Sequence, residues 1–365
     1  MDYEVDYLCQ LLGSFIKKTE PPVPSPNIVW PRLEGLAAHN LVMPIVYHVI
    51  GGTHLPPEFN DRWNQQAIGI DLHYARARAA ALKLCRFLEG AGIPSVVLRG
   101  MALADSLYPS PALRPMVDVD ILVNPDARHT LRAVLKREGL SPVLVLRSQL
   151  VYKIDEVVFE IHWSFLTPKR YRDTVDPAEW LASRRPLRGW NGMAFGLSPE
   201  NELIGLACHS FIHHELEGLL SLVDIGLAAH VEGLDWRYIS TWCEKHSVGR
   251  LFWFTIAFGD ALFGLGLEPK TEMAGLRWPQ IPGDTFNSYW APMFAEDTRS
   301  HFLRRKFNLL KVAETPMIKL RQLIRLLNAD QLGHFLLFRP RPPMTATKSG
   351  KGNRPGDKTT TGGFS

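Results

Sequence analysis

The strongest constraint on the fold lies in Leu113-Arg114-Pro115-Met116-Val117-Asp118-Val119-Asp120-Ile121-Leu122-Val123, where two carboxylates stand two residues apart in a run that otherwise reads as a buried strand. Side chains alternate across a strand, so Asp118 and Asp120 project together while Val117, Val119 and Ile121 point the other way. Adjacent carboxylates on one face repel each other, and desolvation makes the repulsion worse. A divalent cation relieves it. Mg²⁺ is commonly held by one or two carboxylates together with substrate phosphates. The pair therefore points to metal-dependent phosphoryl or nucleotidyl chemistry, with plain solvated charge at a strand end as the alternative.

Around this strand the chain divides into segments of different pattern. Residues 1–90 read as helical: Leu8, Leu11, Leu12 and Phe15 recur at helical spacing, and Pro21 to Pro26 break the pattern. A second helix is expected over Pro31–Ile50 and a long one, rich in helix formers, over Asp61–Leu88, stopped by Gly90-Ala91-Gly92. Residues 91–190 change to a β-α-β-α-β-β order. Strands are expected at Pro94–Leu98, Asp118–Val123, Val143–Ile154 and Val157–Phe165, with Asp155-Glu156 as a hairpin turn. Helices are expected at Gly100–Tyr108 and Asp126–Glu138, the latter closed by Gly139. Residues 191–338 return to helix, at Pro199–Glu215, Leu219–Glu232, Trp236–His246, Arg250–Leu265 and Arg299–Leu327. Ser198 stands as N-cap of the first of these, followed by Pro199 and an acidic first turn.

Charge narrows the function classes. The net charge is +4, but residues 339–365 carry six cations against Asp357, so the remainder is near −1. That balance argues against a dedicated nucleic-acid-binding domain. The tail, rich in Pro, Gly, Thr and Lys, has the composition of a disordered segment. Cys9, Cys85, Cys208 and Cys243 are scattered without zinc-site or disulfide spacing, which fits a reducing cytosol. An acidic N-terminus lacks the order of a signal peptide. The apolar stretch Leu251–Leu267 is interrupted by Asp260 and reads as a buried helix rather than a membrane span.

Four elements of the middle segment bear chemistry. Val97-Leu98-Arg99-Gly100 is a strand leading to Gly at a helix start, where free backbone N–H groups favour a phosphate. Asp118 and Asp120 lie on the next strand, and Arg114 stands just before them with a fork suited to phosphate oxygens. In Val157-Val158-Phe159-Glu160-Ile161-His162-Trp163, Glu160 and His162 share one face, and Phe159, Ile161 and Trp163 the other. An inward Glu needs a partner for its charge, and a metal would supply one. Farther on, His209 and His213 are four apart on one helix face. Asp224 follows on the next helix. These three could line an acceptor pocket, tie two helices together or form a metal site.

Leu98-Arg99-Gly100, Tyr108, Leu113-Arg114-Pro115 with Asp118-x-Asp120-x-Leu122-Val123, and Glu160-Ile161-His162-Trp163 together resemble the uncharacterised nucleotidyltransferase family of the DNA polymerase β superfamily. The resemblance continues through Pro199-Glu200-x-Glu202-Leu203, Cys208-His209, His213-His214, Val223-Asp224-Ile225-Gly226 and Asp235-Trp236, and covers about 85–265. It implies an α+β fold, with a polymerase β-like core of mixed sheet and flanking helices, N-terminal helices and a C-terminal helical domain. It also implies Gly100 at the nucleotide phosphates, with Arg99, Arg114 and His162 beside the nucleotide. Asp118, Asp120 and Glu160 become the catalytic ligands of Mg²⁺ or Mn²⁺. The implied reaction is transfer of NMP from a nucleoside triphosphate such as ATP to a hydroxyl or phosphate of a small molecule, peptide or protein. A toxin-like transferase acting on tRNA or protein, and a catalytically weak nucleotide-binding or scaffold protein, are the alternatives. Two positions depart from the family pattern: Arg99, where Lys is usual, and Met101, where the superfamily favours a small polar residue.

Overall fold

The structure, a computed structural model, describes residues 2–51, 54–146, 148–164, 175–273 and 278–294. The expected helix at Arg299–Leu327 and the tail at 339–365 lie outside the described residues.

Helix α1 (Tyr3–Lys17) starts at Asp2, whose carboxylate accepts the Val5 N–H, and stops where Lys18 turns left-handed. The single helix expected over Pro31–Ile50 is instead two, α2 (Trp30–His39) and α3 (Met43–Ile50). Pro44 explains the break: inside a continuous helix its ring would collide with the carbonyl of residue 40. The chain turns at Leu41, with φ 58°. Buried Asn40 exploits the turn, donating to Leu36 O (3.0 Å) and Met293 O (3.2 Å) and accepting the Leu219 N–H (3.2 Å). Helix α4 (Pro57–Gly90) then runs uninterrupted to the turn at Gly92, whose φ is 68°.

The central sheet is built from β1 (Ser95–Leu98), β2 (Asp118–Val123), β3 (Pro142–Val145), β4 (Gln149–Ile154) and β5 (Val157–His162), in the order β1-β2-β5-β4-β3. Only β2 and β5 pair in parallel. Helix α5 (Arg99–Ser106) follows β1, and α6 (Arg128–Arg137) follows β2. The run expected as one strand over Val143–Ile154 is a hairpin of two, because the chain reverses between Val145 and Gln149. The turn at Asp155-Glu156 is confirmed, both residues having positive φ.

After the sheet come α7 (Pro177–Ala182) and a small β6 (Arg185–Pro186) and β7 (Phe195–Gly196) ribbon. Helices α8 (Pro199–His214), α9 (Leu219–Ala229), α10 (Trp236–Lys245), α11 (Gly249–Phe263), α12 (Glu268–Met273) and α13 (Gly283–Phe294) complete the described chain. The fold is α+β.

Strand alternation divides the apolar residues between two cores. Val97, Val119, Ile121, Phe159 and Ile161 pack with α4 from Tyr74 to Leu88 and with Leu131 and Leu135 of α6. Val96, Leu98 and Leu122 instead join the core made by α1–α3, the start of α4 and α8–α11. Asp118 and Asp120 have the parity of Leu122. The carboxylates therefore project from the sheet face on which the helical half packs.

Candidate active site

Strand register assembles the acidic group. In the parallel β2–β5 ladder Asp120 stands beside Glu160, and Leu122 beside His162. One ligand atom from each of Asp120, Glu160 and His162 lies within 4.8 Å of the others. His162 Nε2–H donates to Asp120 Oδ1 at 2.7 Å, and the same nitrogen is 3.5 Å from Glu160 Oε2. Asp118 shares the face but is not among these three. Its carboxyl is pushed up to about 6 by burial first, then by the charges of Asp120 and Glu160. Asp120 goes the other way: despite burial, Arg99 and His162 hold its carboxyl far below the usual range.

Arg99 caps the group. In the antiparallel β1–β2 pair Leu98 lies opposite Asp120, so the next residue enters the site. Arg99 adopts a left-handed φ of 48° at the strand-to-helix turn, a backbone state uncommon for a residue with a Cβ. Its Nε donates to Asp120 Oδ2 at 3.0 Å and its Nη2 reaches Oδ1 at 2.6 Å. Nη1 points across to α8, 3.0 Å from His209 Nε2. His209 must accept there, so it is neutral. Burial first, then Arg99, His213 and His214, holds its pKa well below the ordinary value. His213 stacks on His209 at 4.6 Å between ring centres, and His214 Nε2 lies 3.0 Å from His209 Nε2.

Arg114 is braced from the helical half. Its Nε and Nη2 donate to the two oxygens of Asp224 on α9, at 3.1 and 2.8 Å. Tyr108 O–H donates to the same carboxylate at 2.7 Å. Asp224 is 1% exposed, and both its oxygens are engaged. It thus ties α9 to the segment before β2 and makes no bond to His209. The third terminus of Arg114, Nη1, lies against Gly100: a Cβ built there would be 3.0 Å from it. Gly100 is thus the residue that lets the guanidinium approach the start of α5.

Two residues at the site were given no role from sequence. Gln149 of β4 stands opposite His162, and its Nε2 donates to Glu160 Oε2 at 2.7 Å. Its signal was only the alternation of β4, which gives it the parity of the polar face. Glu202, in the first turn of α8, accepts the backbone N–H of Arg99. Burial first raises its carboxyl to about 7, with Asp224 adding to the rise and Arg99 and Arg114 opposing it. Glu202 stood in the resembling motif Pro199-Glu200-x-Glu202-Leu203 and in an acidic first turn, but neither gave it a role at the site.

Two carboxylates converging from neighbouring parallel strands, with an arginine at the β1–α5 turn that precedes them and a second braced beside a helix-start glycine, define an acidic site suited to phosphate-transfer chemistry. The chain matches the family described as uncharacterised nucleotidyltransferase over residues 26–264. It belongs to that family, the one its motifs resemble. The solution structure of the antibiotic-resistance factor ANT(2'')-Ia is distantly similar, at 13% identity over 54% of this chain and 96% of that one, with a TM-score of 0.32. No curated protein matches the chain. Among the described residues no helix is long and apolar enough to cross a membrane.

Proposed function

We propose that the protein transfers NMP from a nucleoside triphosphate to a hydroxyl or phosphate of a small molecule, peptide or protein, using Mg²⁺ or Mn²⁺ held on the β2–β5 carboxylates. The observation that carries this reading is the in-register pair Asp120–Glu160, whose oxygens lie within 4.8 Å of each other and of His162. Two hard carboxylate donors fit Mg²⁺ or Mn²⁺. Asp120 and Glu160 would hold the ion and Asp118, on the same face, would add negative charge. When bound, the ion neutralises charge on the transferring phosphoryl group and lowers the pKa of the acceptor.

The remaining work falls to this chain's own side chains. Arg114, fixed by Asp224, stations positive charge at the Gly100 end of α5, where free backbone N–H groups also favour phosphate. The acceptor oxygen attacks the α-phosphorus, the bond to the β-phosphate oxygen breaks, and pyrophosphate leaves. Glu160 accepts the acceptor's proton. His209 and His213 on α8 face this region from the helical half and are the candidate wall of the acceptor pocket.

Incubating the protein with each α-labelled triphosphate, Mg²⁺ or Mn²⁺ and a cell lysate tests the reading. Label should appear on one acceptor with release of pyrophosphate. Asp120→Asn and Glu160→Gln should abolish transfer, and Glu156→Gln in the exposed turn should not. Wild-type transfer by Asp120→Asn would remove the reading.

A further inference from the structure

We infer that Arg99 is the resident counter-ion of the metal-site carboxylate in the free protein, and that it must leave Asp120 when the cation arrives, which couples cation binding to triphosphate binding through one side chain. The inference rests on the metal-dependent reading above and extends it to how the site is loaded.

The geometry places the guanidinium where the cation's ligand atoms are. Arg99 grips both oxygens of Asp120, at 3.0 and 2.6 Å, and His162 takes a further lone pair of Oδ1. An ionised carboxylate offers about four lone-pair sites, so little of Asp120 is left for a metal. The Arg99 and Asp120 side chains are only 12% and 14% exposed, so solvent screens the pair weakly. A divalent cation on Asp120 and Glu160 would therefore meet a like charge in contact with the same oxygens. One of the two has to move.

Displaced from Asp120, the guanidinium still lies in the fields of Asp118 and Glu202, and a bound triphosphate adds a more highly charged anion for it to turn to. It also has a support that is easily released: its Nη1 contact on the helical side is the neutral ring of His209 rather than a carboxylate. Free protein thus holds the cation weakly, and a bound triphosphate, by drawing Arg99 away, strengthens cation binding. Linkage requires the reverse as well, so the cation strengthens triphosphate binding by the same factor. The usual scale for such coupling is about 5–150-fold.

The test measures binding rather than turnover. Mn²⁺ affinity is read by electron paramagnetic resonance of the free ion, without nucleotide, for wild type, Arg99→Gln and Arg62→Gln. Arg62 pairs with Glu34 in the helical half and controls for the loss of one positive charge. Binding of a non-hydrolysable triphosphate analogue is measured separately by calorimetry in EDTA. Arg99→Gln should bind Mn²⁺ about tenfold more tightly than wild type and the metal-free analogue more weakly. Arg62→Gln should match wild type in both. Opposite signs in one variant cannot come from partial misfolding, which would weaken both. Unchanged or weaker Mn²⁺ binding in Arg99→Gln would overturn the counter-ion role while leaving the metal site standing. Failure of every protein to bind Mn²⁺ would overturn the metal reading itself, and this inference with it.

Discussion

Asp224→Asn tests the link between the helical half and the segment leading to β2. The carboxylate is 1% exposed and receives three charged or polar donors: Arg114 Nε at 3.1 Å, Arg114 Nη2 at 2.8 Å and Tyr108 O–H at 2.7 Å. Burial, and then the charge of Asp224, raises the Tyr108 phenol well above its ordinary value, so it remains a donor at any working pH. Asparagine keeps the shape but removes the charge and turns one acceptor into a donor facing other donors. Arg114, whose side chain is 13% exposed, then carries a buried and uncompensated charge. Breaking one partner of such a pair costs about 3–5 kcal/mol. At roughly 2–4 °C per kcal/mol for a chain of this class, the melting temperature should fall by on the order of 10 °C.

A double-mutant cycle separates the pair from general damage. Tyr108→Phe removes one hydrogen bond and should cost about 1 kcal/mol. Arg114→Met with Asp224→Asn should be less damaging than the two singles summed, with a coupling of about 2 kcal/mol or more, since contacting charged residues are not additive. Denaturant unfolding of the four proteins supplies the numbers. If Asp224→Asn stays within about 1 kcal/mol of wild type and the cycle closes additively, the buried ion pair is not what joins the halves.

Gly100→Ala should leave thermal stability near wild type, because the gain in helix propensity of about 1 kcal/mol offsets the 3.0 Å approach to Arg114 Nη1, while calorimetry should show weaker triphosphate binding as the guanidinium is displaced. Gln149→Leu releases Glu160 Oε2 from its 2.7 Å hydrogen bond; Mn²⁺ affinity should drop several-fold, on the order of 10-fold for loss of a supporting partner, with the circular dichroism spectrum unchanged. Glu202 has a folded-state pKa of about 7 against 4.5 for the free group, so the folded protein takes up its proton first and Glu202 destabilises it fully only above pH 7. Glu202→Gln should therefore melt higher than wild type at pH 8 and lose that advantage as the pH falls toward 4.5, a trend followed by melting temperature against pH.

What could be read from the sequence was whatever is decided within a few residues. Alternation put Asp118 with Asp120 and Glu160 with His162, and the β-ladder then set the two pairs side by side. The Asp155-Glu156 turn and the Ser198 cap were legible for the same reason. Local reading failed where the deciding fact was a backbone state without its usual residue. Leu41 turns left-handed with no glycine to announce it. The reversal between β3 and β4 passes through Leu146 and Ser148 rather than a Gly or Asn turn.

The site itself shows a different kind of limit. The bonds described between the carboxylate face and the helical half cross about a hundred residues of chain: Arg99 to His209 and to Glu202, Arg114 to Asp224, Tyr108 to Asp224. Sequence spacing assigns such residues to a helix face but not to a partner, so Arg114 read as a phosphate clamp, and Asp224 was left open between a pocket lining, a tie between helices and a metal ligand. The structure makes them one ion pair and leaves only Nη1 of Arg114 at the start of α5. The same holds for Arg99, whose charge was legible and whose present partner, the carboxylate of Asp120, was not. Both arginines are thus placed by anions of the protein itself, one at Asp224 of the helical half and one at Asp120 of the sheet. That difference in partner is why substitution at Asp224 should be read in stability and substitution at Arg99 in metal affinity.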